Sequence, residues 1–304
     1  MKKKILIIGG SGFIGSKLVE YYLKKNFEVF SISKNKKKER NKKNLKNFYF
    51  DVSNKKKCCD FFKKYSFDYI INVAGYVDHR SYFIKKNNII ESHLLGTLNS
   101  VFYTNRLTLK KYLYIGSSDE YGLNKSPQNE TQREMPSSTY SFAKTSSVHF
   151  LQMISRSENF PSSSIRIFLT YGPNQKENRF IPQIIKGCLK DENFKTSSGK
   201  QIRDFCYIDD VINAINLVLI SKKSKGKIYN VGSGKPIKIK NVVKIIKSIL
   251  GKGKPIYGAF KLRKNENSKL FPKISKIKSE IGWEAKIHLK EGLSKTIEYI
   301  KRNT

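Results

Sequence analysis

The chain has 304 residues, 38% of them hydrophobic, enough for one large α/β domain with a core of its own and a smaller lobe. Its 60 basic and 24 acidic side chains give a formal net charge of +36, but lysine outnumbers arginine 50 to 10 and is scattered along the whole length. Such scatter predicts solvated faces and no nucleic-acid partner, which would need the charge gathered on one surface. No apolar run approaches the roughly 18 to 20 residues that span a bilayer, so the expectation is a cytoplasmic protein with no membrane partner. Cys58, Cys59, Cys188 and Cys206 form no Cys-x-x-Cys pair and no set with nearby histidines, which predicts neither a metal site nor a disulfide framework.

The first sixteen residues carry the strongest local signal. Ile5-Leu-Ile-Ile8 is a short apolar run of strand character that enters Gly9-Gly-Ser11-Gly12-Phe13-Ile14-Gly15, after which Lys17 to Leu23 has helical spacing. A strand, a glycine turn and a helix start in that order predict a phosphate cradle. Gly9 and Gly12 would let the backbone approach a pyrophosphate, Gly15 would let the helix pack on the strand, and the first helical amides would face the anion. The spacing is G-x-x-G-x-x-G, not the commoner G-x-G-x-x-G.

Strand and helix signals then alternate, with strands expected at 3–8, 28–32, 47–50, 69–74, 111–117, 164–169 and 228–231. Seven strands separated by helices predict a doubly wound parallel, Rossmann-type sheet. We expect residues 1–170 to form the dinucleotide-binding domain, with 203–232 returning to it, and 171–304 to form mainly a substrate-binding lobe. The stretch 122–138, with Pro127 and Pro136, predicts a long loop of the kind that usually carries function. Beyond it, Tyr140 and Lys144 are one helical turn apart, where the ammonium would stabilise a phenolate and make the tyrosine a usable acid or base. The strand at 111–117 ends in Ser117-Ser118-Asp119-Glu120-Tyr121, which sets hydroxyls at the carboxyl edge of the sheet, where open α/β sheets bind ligands.

With those parts in order, the chain resembles the extended short-chain dehydrogenase/reductases, in particular their nucleotide-sugar epimerase, dehydratase and reductase branch. The likeness extends through Arg166-Ile-Phe-Leu-Thr-Tyr171-Gly-Pro173, Asn178-Arg-Phe-Ile-Pro182, Gly199-Lys-Gln-Ile-Arg203-Asp-Phe and Tyr229-Asn-Val-Gly232. The resemblance implies that Ser117, Tyr140 and Lys144 are catalytic, with Tyr140 transferring the proton and Lys144 also holding the nicotinamide ribose. It further implies that Asp51 and Val52 meet the adenine and that Ala74 and Gly75 line the cofactor. Asn178, Arg203 and Arg263, with Ser118 and Asp119, would bind a nucleotide-diphosphate sugar. A homodimer is the family default.

Departures from the family pattern narrow the expectation. The second strand ends in Ser33-Lys34, without the acidic residue that binds the ribose hydroxyls of NAD, so NADP(H) is preferred and NAD(H) second. Fresh NADPH suits a 4-ketoreductase acting on a nucleotide-linked 4-keto-6-deoxy sugar. The alternatives are a 4-epimerase with retained NAD and then a 4,6-dehydratase, for which Ser118-Asp119 lacks one of two carboxylates unless Asp119 or Glu120 serves. A non-enzymatic cofactor or RNA binder is disfavoured by the retained Ser, Tyr and Lys. His93 replaces the family's asparagine near the lysine, and is expected either to support the site or to pack a helix.

Overall fold

The computed structural model describes residues 2–36, 42–83, 88–260 and 267–303. In chain order, strands β1 (Lys4–Ile8), β2 (Glu28–Ser33), β3 (Leu45–Tyr49), β4 (Tyr69–Asn72), β5 (Lys111–Ser117) and β6 (Ser162–Ile167) alternate with helices α1 (Phe13–Lys24), α2 (Lys55–Lys64), α3 (Gly96–Tyr103) and α4 (Thr139–Ser157). Then come β7 (Leu169–Tyr171), α5 (Phe180–Lys190), β8 (Asn193–Lys195), β9 (Ile202–Arg203), β10 (Phe205–Tyr207), α6 (Ile208–Ile220) and β11 (Ile228–Val231). The last elements are β12 (Ile237–Lys238), α7 (Ile239–Leu250), β13 (Lys254–Ile256), β14 (Lys269–Leu270), α8 (Ser275–Ile281) and α9 (Leu289–Asn303). The sequence-derived α/β class holds: a seven-stranded parallel sheet runs in the order β11-β6-β5-β4-β1-β2-β3.

The chain divides into two compact units. Met1–Gly122, Arg133–Arg166 and Ile212–Tyr229 make the first, and Leu123–Gln132, Ile167–Val211 and Asn230–Thr304 make the second. In the first, strands β1 and β5 are buried along nearly their whole length because helices cover both faces, which is why they appear in sequence as unbroken apolar runs. One face packs Leu6, Ile8, Phe30, Ile70, Tyr112 and Tyr114 against Phe61 of α2 and Val148 and Leu151 of α4. The second unit is built from short pairings, β7 with β10, β8 with β13, and β9 between β12 and β14. Trp283 is buried there and donates its Nε1 proton to the Asp210 carbonyl, while the Asp210 carboxylate accepts from the Ile287 amide.

Two strands end two residues short of the sequence expectation, each for a local reason. β4 stops at Asn72 because its side-chain oxygen accepts from the Ala74 amide at 3.1 Å and turns the backbone out of the ladder. The strand expected at 164–169 ends at Ile167, and Leu169–Tyr171 pairs instead with Phe205–Tyr207.

The glycine turn after β1 is compact. Gly9 has φ of 93°, its amide donates to the Ile32 carbonyl, and the Gly12 amide donates to the Gly9 carbonyl at 3.0 Å. A Cβ on Gly15 would run into the Gly9 carbonyl oxygen and lie 2.9 Å from the Gly10 Cα, so α1 approaches the turn only because the side chain is absent. Gly15→Ala is therefore expected to lower stability by about 3 kcal/mol, as for an overpacked core site, read as the shift of the urea or thermal unfolding midpoint.

Candidate active site

Ser117 is the last residue of β5 and caps the single 3₁₀ turn Ser118–Tyr121. Its hydroxyl oxygen accepts from the Asp119 amide at 3.1 Å, and Glu120 Oε1 accepts from the Ser117 amide at 2.8 Å, a reciprocal box that fixes the strand end. Because the hydroxyl uses a lone pair in that bond, its proton remains available to donate. A second box fixes the start of α4, where the Ser138 hydroxyl accepts from the Ser141 amide and the Ser141 hydroxyl accepts from the Ser138 amide. Tyr140 and Lys144 follow on the first turns of that helix, both buried, as is Ser117.

Lys144 donates to the Ile115 carbonyl at 2.7 Å and lies 4.7 Å over the Tyr114 ring. Burial pushes its amine down to about 8, with the Glu120 carboxylate offsetting part of the effect. The Tyr140 ring packs on Ile89 and Ala143 and meets His93 and His79 edge-on, at centroid distances of 5.2 and 5.7 Å.

His93 stands in a π-helical turn, Glu91–Leu95, that leads into α3. Its Nε2 lies 3.1 Å from the Tyr76 carbonyl, which can only accept, so the proton belongs on Nε2 and Nδ1 carries the lone pair. The backbone carbonyl accepts from the Thr97 and Ser147 hydroxyls. Nδ1 is buried and has no hydrogen-bond partner among the described residues. Burial first, then the Lys144 charge, push His93 down to about 3, against the Tyr76 bond. The ring fills the place a side chain on Gly75 would take, where φ is 119°.

The arrangement that sequence reasoning missed lies directly beneath Ser117. Glu120, fully buried, holds the equally buried Arg166 at 2.6 Å, and Arg166 also pairs with Glu134 and lies 4.5 Å over the Tyr121 ring. Burial works against the guanidinium charge, and Glu120 more than restores it. Burial likewise works against the Glu134 carboxylate, yet Arg166 holds it below the usual range. An arginine inside a strand as buried as β6 was the available signal, since a charge there demands a partner. Asp119 stays partly exposed, 3.4 Å from His79 Nε2.

The residues expected at the cofactor are distributed as follows. Gly9 touches Ala74, where a Cβ would lie 2.8 Å from the Ala74 amide nitrogen. Among the described residues, a Cβ on Gly12 would meet only the Gly9 carbonyl, at 3.2 Å. With no side-chain cap on α1, that open edge and the first-turn amides of Phe13, Ile14 and Gly15 fit a phosphate. Ser33 accepts the Ser11 amide at 3.0 Å, and Lys34 pairs with Asp51 at 2.8 Å. Partial burial works against the Asp51 carboxylate, but Lys34 and Ser53 bring it below its ordinary range. Val52 belongs to the core, and its carbonyl accepts from Asn99. In the second unit Arg203 is buried on β9 and donates to the Ile202 and Ser268 carbonyls, whereas Asn178 is exposed ahead of α5. Arg263 lies outside the described residues. No group of three or more metal-ligating side chains occurs among the described residues, and no described helix is long and apolar enough to cross a membrane.

The model of the NAD dependent epimerase/dehydratase family matches residues 5–232, and the chain belongs to that family. A UDP-glucuronate 4-epimerase of Thermodesulfobacterium geofontis is 28% identical over 98% of this chain and 96% of its own. A probable dTDP-glucose 4,6-dehydratase of Sinorhizobium fredii is 27% identical over 99% and 93%. Among solved structures, Pal from Bacillus thuringiensis superposes with a TM-score of 0.90 at 26% identity over 99% of this chain and 100% of its own. A dTDP-glucose 4,6-dehydratase from Bacillus anthracis, solved in complex with NAD, shares the fold with a TM-score of 0.88 at 22% identity over 99% and 97%.

Two outcomes test the electrostatics of this site. Below the ordinary histidine value of 6.5 the unfolded chain binds a proton that native His93 refuses down to about 3, so stability falls with acidification across that window. His93→Asn should reduce the slope by up to about 1.4 kcal/mol per pH unit between those limits, measured by urea unfolding at successive pH values. Arg166→Leu leaves the Glu120 charge buried without its partner and should cost about 3 to 5 kcal/mol by the same measurement.

Proposed function

We propose that this chain is a nicotinamide-dependent reductase of a nucleotide-linked 4-keto-6-deoxy sugar, with Tyr140 as proton donor, Ser117 donating to the sugar oxygen and Lys144 stabilising the phenolate. The bound dinucleotide supplies hydride. Gly9, Ser11, Gly12, Phe13, Ile14 and Gly15 hold its phosphates through backbone amides, Ser33 and Lys34 bind the adenosine end, and Asp51, Val52, Ala74 and Gly75 line the rest. Ser118, Asp119, Asn178, Arg203 and Arg263 bind the nucleotide-diphosphate sugar, with residues 171–304 as the main substrate lobe, in a cytoplasmic homodimer.

One observation carries the reaction type. Elimination of water needs both an acid and a base beside the reacting hydroxyl. Glu120 is fully buried between the Ser117 amide and Arg166, so it cannot reach a sugar, and Asp119 is the carboxylate that remains. Ketone reduction asks only for a proton donor, which Tyr140 with Lys144 provides. NADP(H) is the preferred cofactor because Lys34 is exposed and its pair with the partly buried Asp51, of a kind worth about 1 kcal/mol or less, yields to a phosphate dianion. A second reading, a 4-epimerase with retained NAD, is favoured by the same two groups: the Ser33 hydroxyl already accepts from Ser11, and Lys34 already has Asp51.

NADPH and NADH absorbance, followed with GDP-, dTDP- and CDP-linked 4-keto-6-deoxy sugars and with product analysis, separates the readings. The expected result is NADPH loss equal to sugar reduced, with Tyr140→Phe lowering kcat by about a hundredfold or more while cofactor binding persists. Epimerised sugar without net loss of either cofactor would overturn the reductase in favour of the epimerase.

A further inference from the structure

In the second unit, β9 is the centre of a small sheet, antiparallel to β12 and parallel to β14. Ile202 stands opposite Lys238 on one side and Lys269 on the other, while Arg203 stands opposite Ile237 and Leu270. Opposed residues share a face of a sheet, and successive residues alternate between faces. Lys238, Ile202 and Lys269 therefore form a row on one face, and Arg203 belongs to the other. The row borders an open cavity of about 370 Å³ that Pro236, Asn241 and Phe271 complete. That volume lies within the range of small-molecule sites. Among the described residues no acidic side chain lines the cavity, and neither Lys238 nor Lys269 has an ion-pair partner. An apolar wall of Ile202, Pro236 and Phe271 is thus flanked by two uncompensated ammonium groups.

We infer that this cavity binds a nucleoside diphosphate, at a site separate from the one that holds the substrate. The two lysines bracket a diphosphate from neighbouring strands, the apolar wall receives the ring of the base, and the Asn241 amide can both donate to and accept from its edge. Each feature alone is commonplace on so basic a surface. Their meeting around one concavity selects a ligand that is anionic at one end and flat and apolar at the other. The site also has a route to the reaction, a step that rests on the reading of Arg203 as a ligand of the substrate diphosphate. Arg203 Nη1 donates to the Ile202 carbonyl at 2.9 Å and to the Ser268 carbonyl at 3.3 Å, the backbone on which the cavity wall stands. An anion held by Lys238 and Lys269 lies one strand from that guanidinium and opposes the field that draws the substrate. An occupied cavity therefore raises the substrate KM and leaves kcat unchanged, and the coupling is reciprocal in binding.

The test is isothermal titration of dTDP, GDP and CDP into the full chain with NADP+, at about 0.15 M salt so that diffuse attraction to lysines is screened. Two sites per chain are expected for at least one of the three. Lys238→Ala combined with Lys269→Ala should weaken one site about a hundredfold, while thermal unfolding stays within about 3 °C of wild type. Arg203→Gln should remove only the other. Inorganic pyrophosphate should compete at the lysine site at least about tenfold more weakly than the nucleotide, because it leaves the apolar wall unfilled. In steady-state reduction, the same nucleotide should raise the apparent KM with a parabolic dependence on its concentration in wild type and a linear one in the lysine double variant. The inference is overturned by a single site per chain that Arg203→Gln abolishes and the lysine substitutions leave intact, or by pyrophosphate that competes as well as the nucleotide. A single site with the opposite response upholds the cavity and overturns the reading of Arg203. Absence of any binding overturns both.

Discussion

The guanidinium of Arg166 has no accessible surface, and neither does the Glu120 carboxylate that holds it. Two charges taken out of water are tolerated only when each finds the other and further polar contacts; here one Glu120 oxygen meets Arg166 while the other takes the Ser117 amide, and of the guanidinium only Nη1 is buried without a hydrogen-bond partner among the described residues. The pair thereby joins β6 to the end of β5, and Glu134 extends the tie to the segment that precedes α4. Ser117 and the start of the Tyr140 helix are anchored to the same buried cation. A carboxylate immobilised in this way is also withdrawn from proton transfer, so one contact both builds the site and restricts its chemistry.

Around that anchor, burial acts on two basic groups at once. It weakens the charged forms of Lys144 and His93, and each would penalise a charge on the other. The lysine has compensation: a carbonyl at 2.7 Å, an aromatic face and the nearby Glu120. The histidine has a single backbone acceptor and gives up its proton instead. The result is one cation beside Tyr140, not two, and a neutral ring whose bare nitrogen faces the interior.

Much of this was legible in the sequence where the cause is local. The Ile5–Ile8 run, the glycines after it and the Tyr140–Lys144 spacing reflect strand burial, steric room and helical period, all visible within a few residues. The end of β4 depended on one side chain bonding its own backbone, and a Val-Ala run after Asn72 conceals that. Partners across the fold were the least legible. Lys34 with Asp51, His79 with Asp119 and Arg166 with Glu120 and Glu134 join residues from separate elements, among lysines and glutamates that sequence alone cannot rank. Arg166 announced that a partner existed, but only the turn after β5 selected Glu120.

The π-helical turn at Glu91–Leu95 has a further consequence. Such a turn amounts to an α-helix carrying one surplus residue, and each residue advances a helix by about 100°. Deleting a single position ahead of His93 would restore the regular winding, swing the imidazole away from Tyr140 and rotate a neighbour into its place. The chemical character of that wall is thus set by the length of a segment as much as by its composition, and an insertion or deletion there could change the site in one step where a substitution could not.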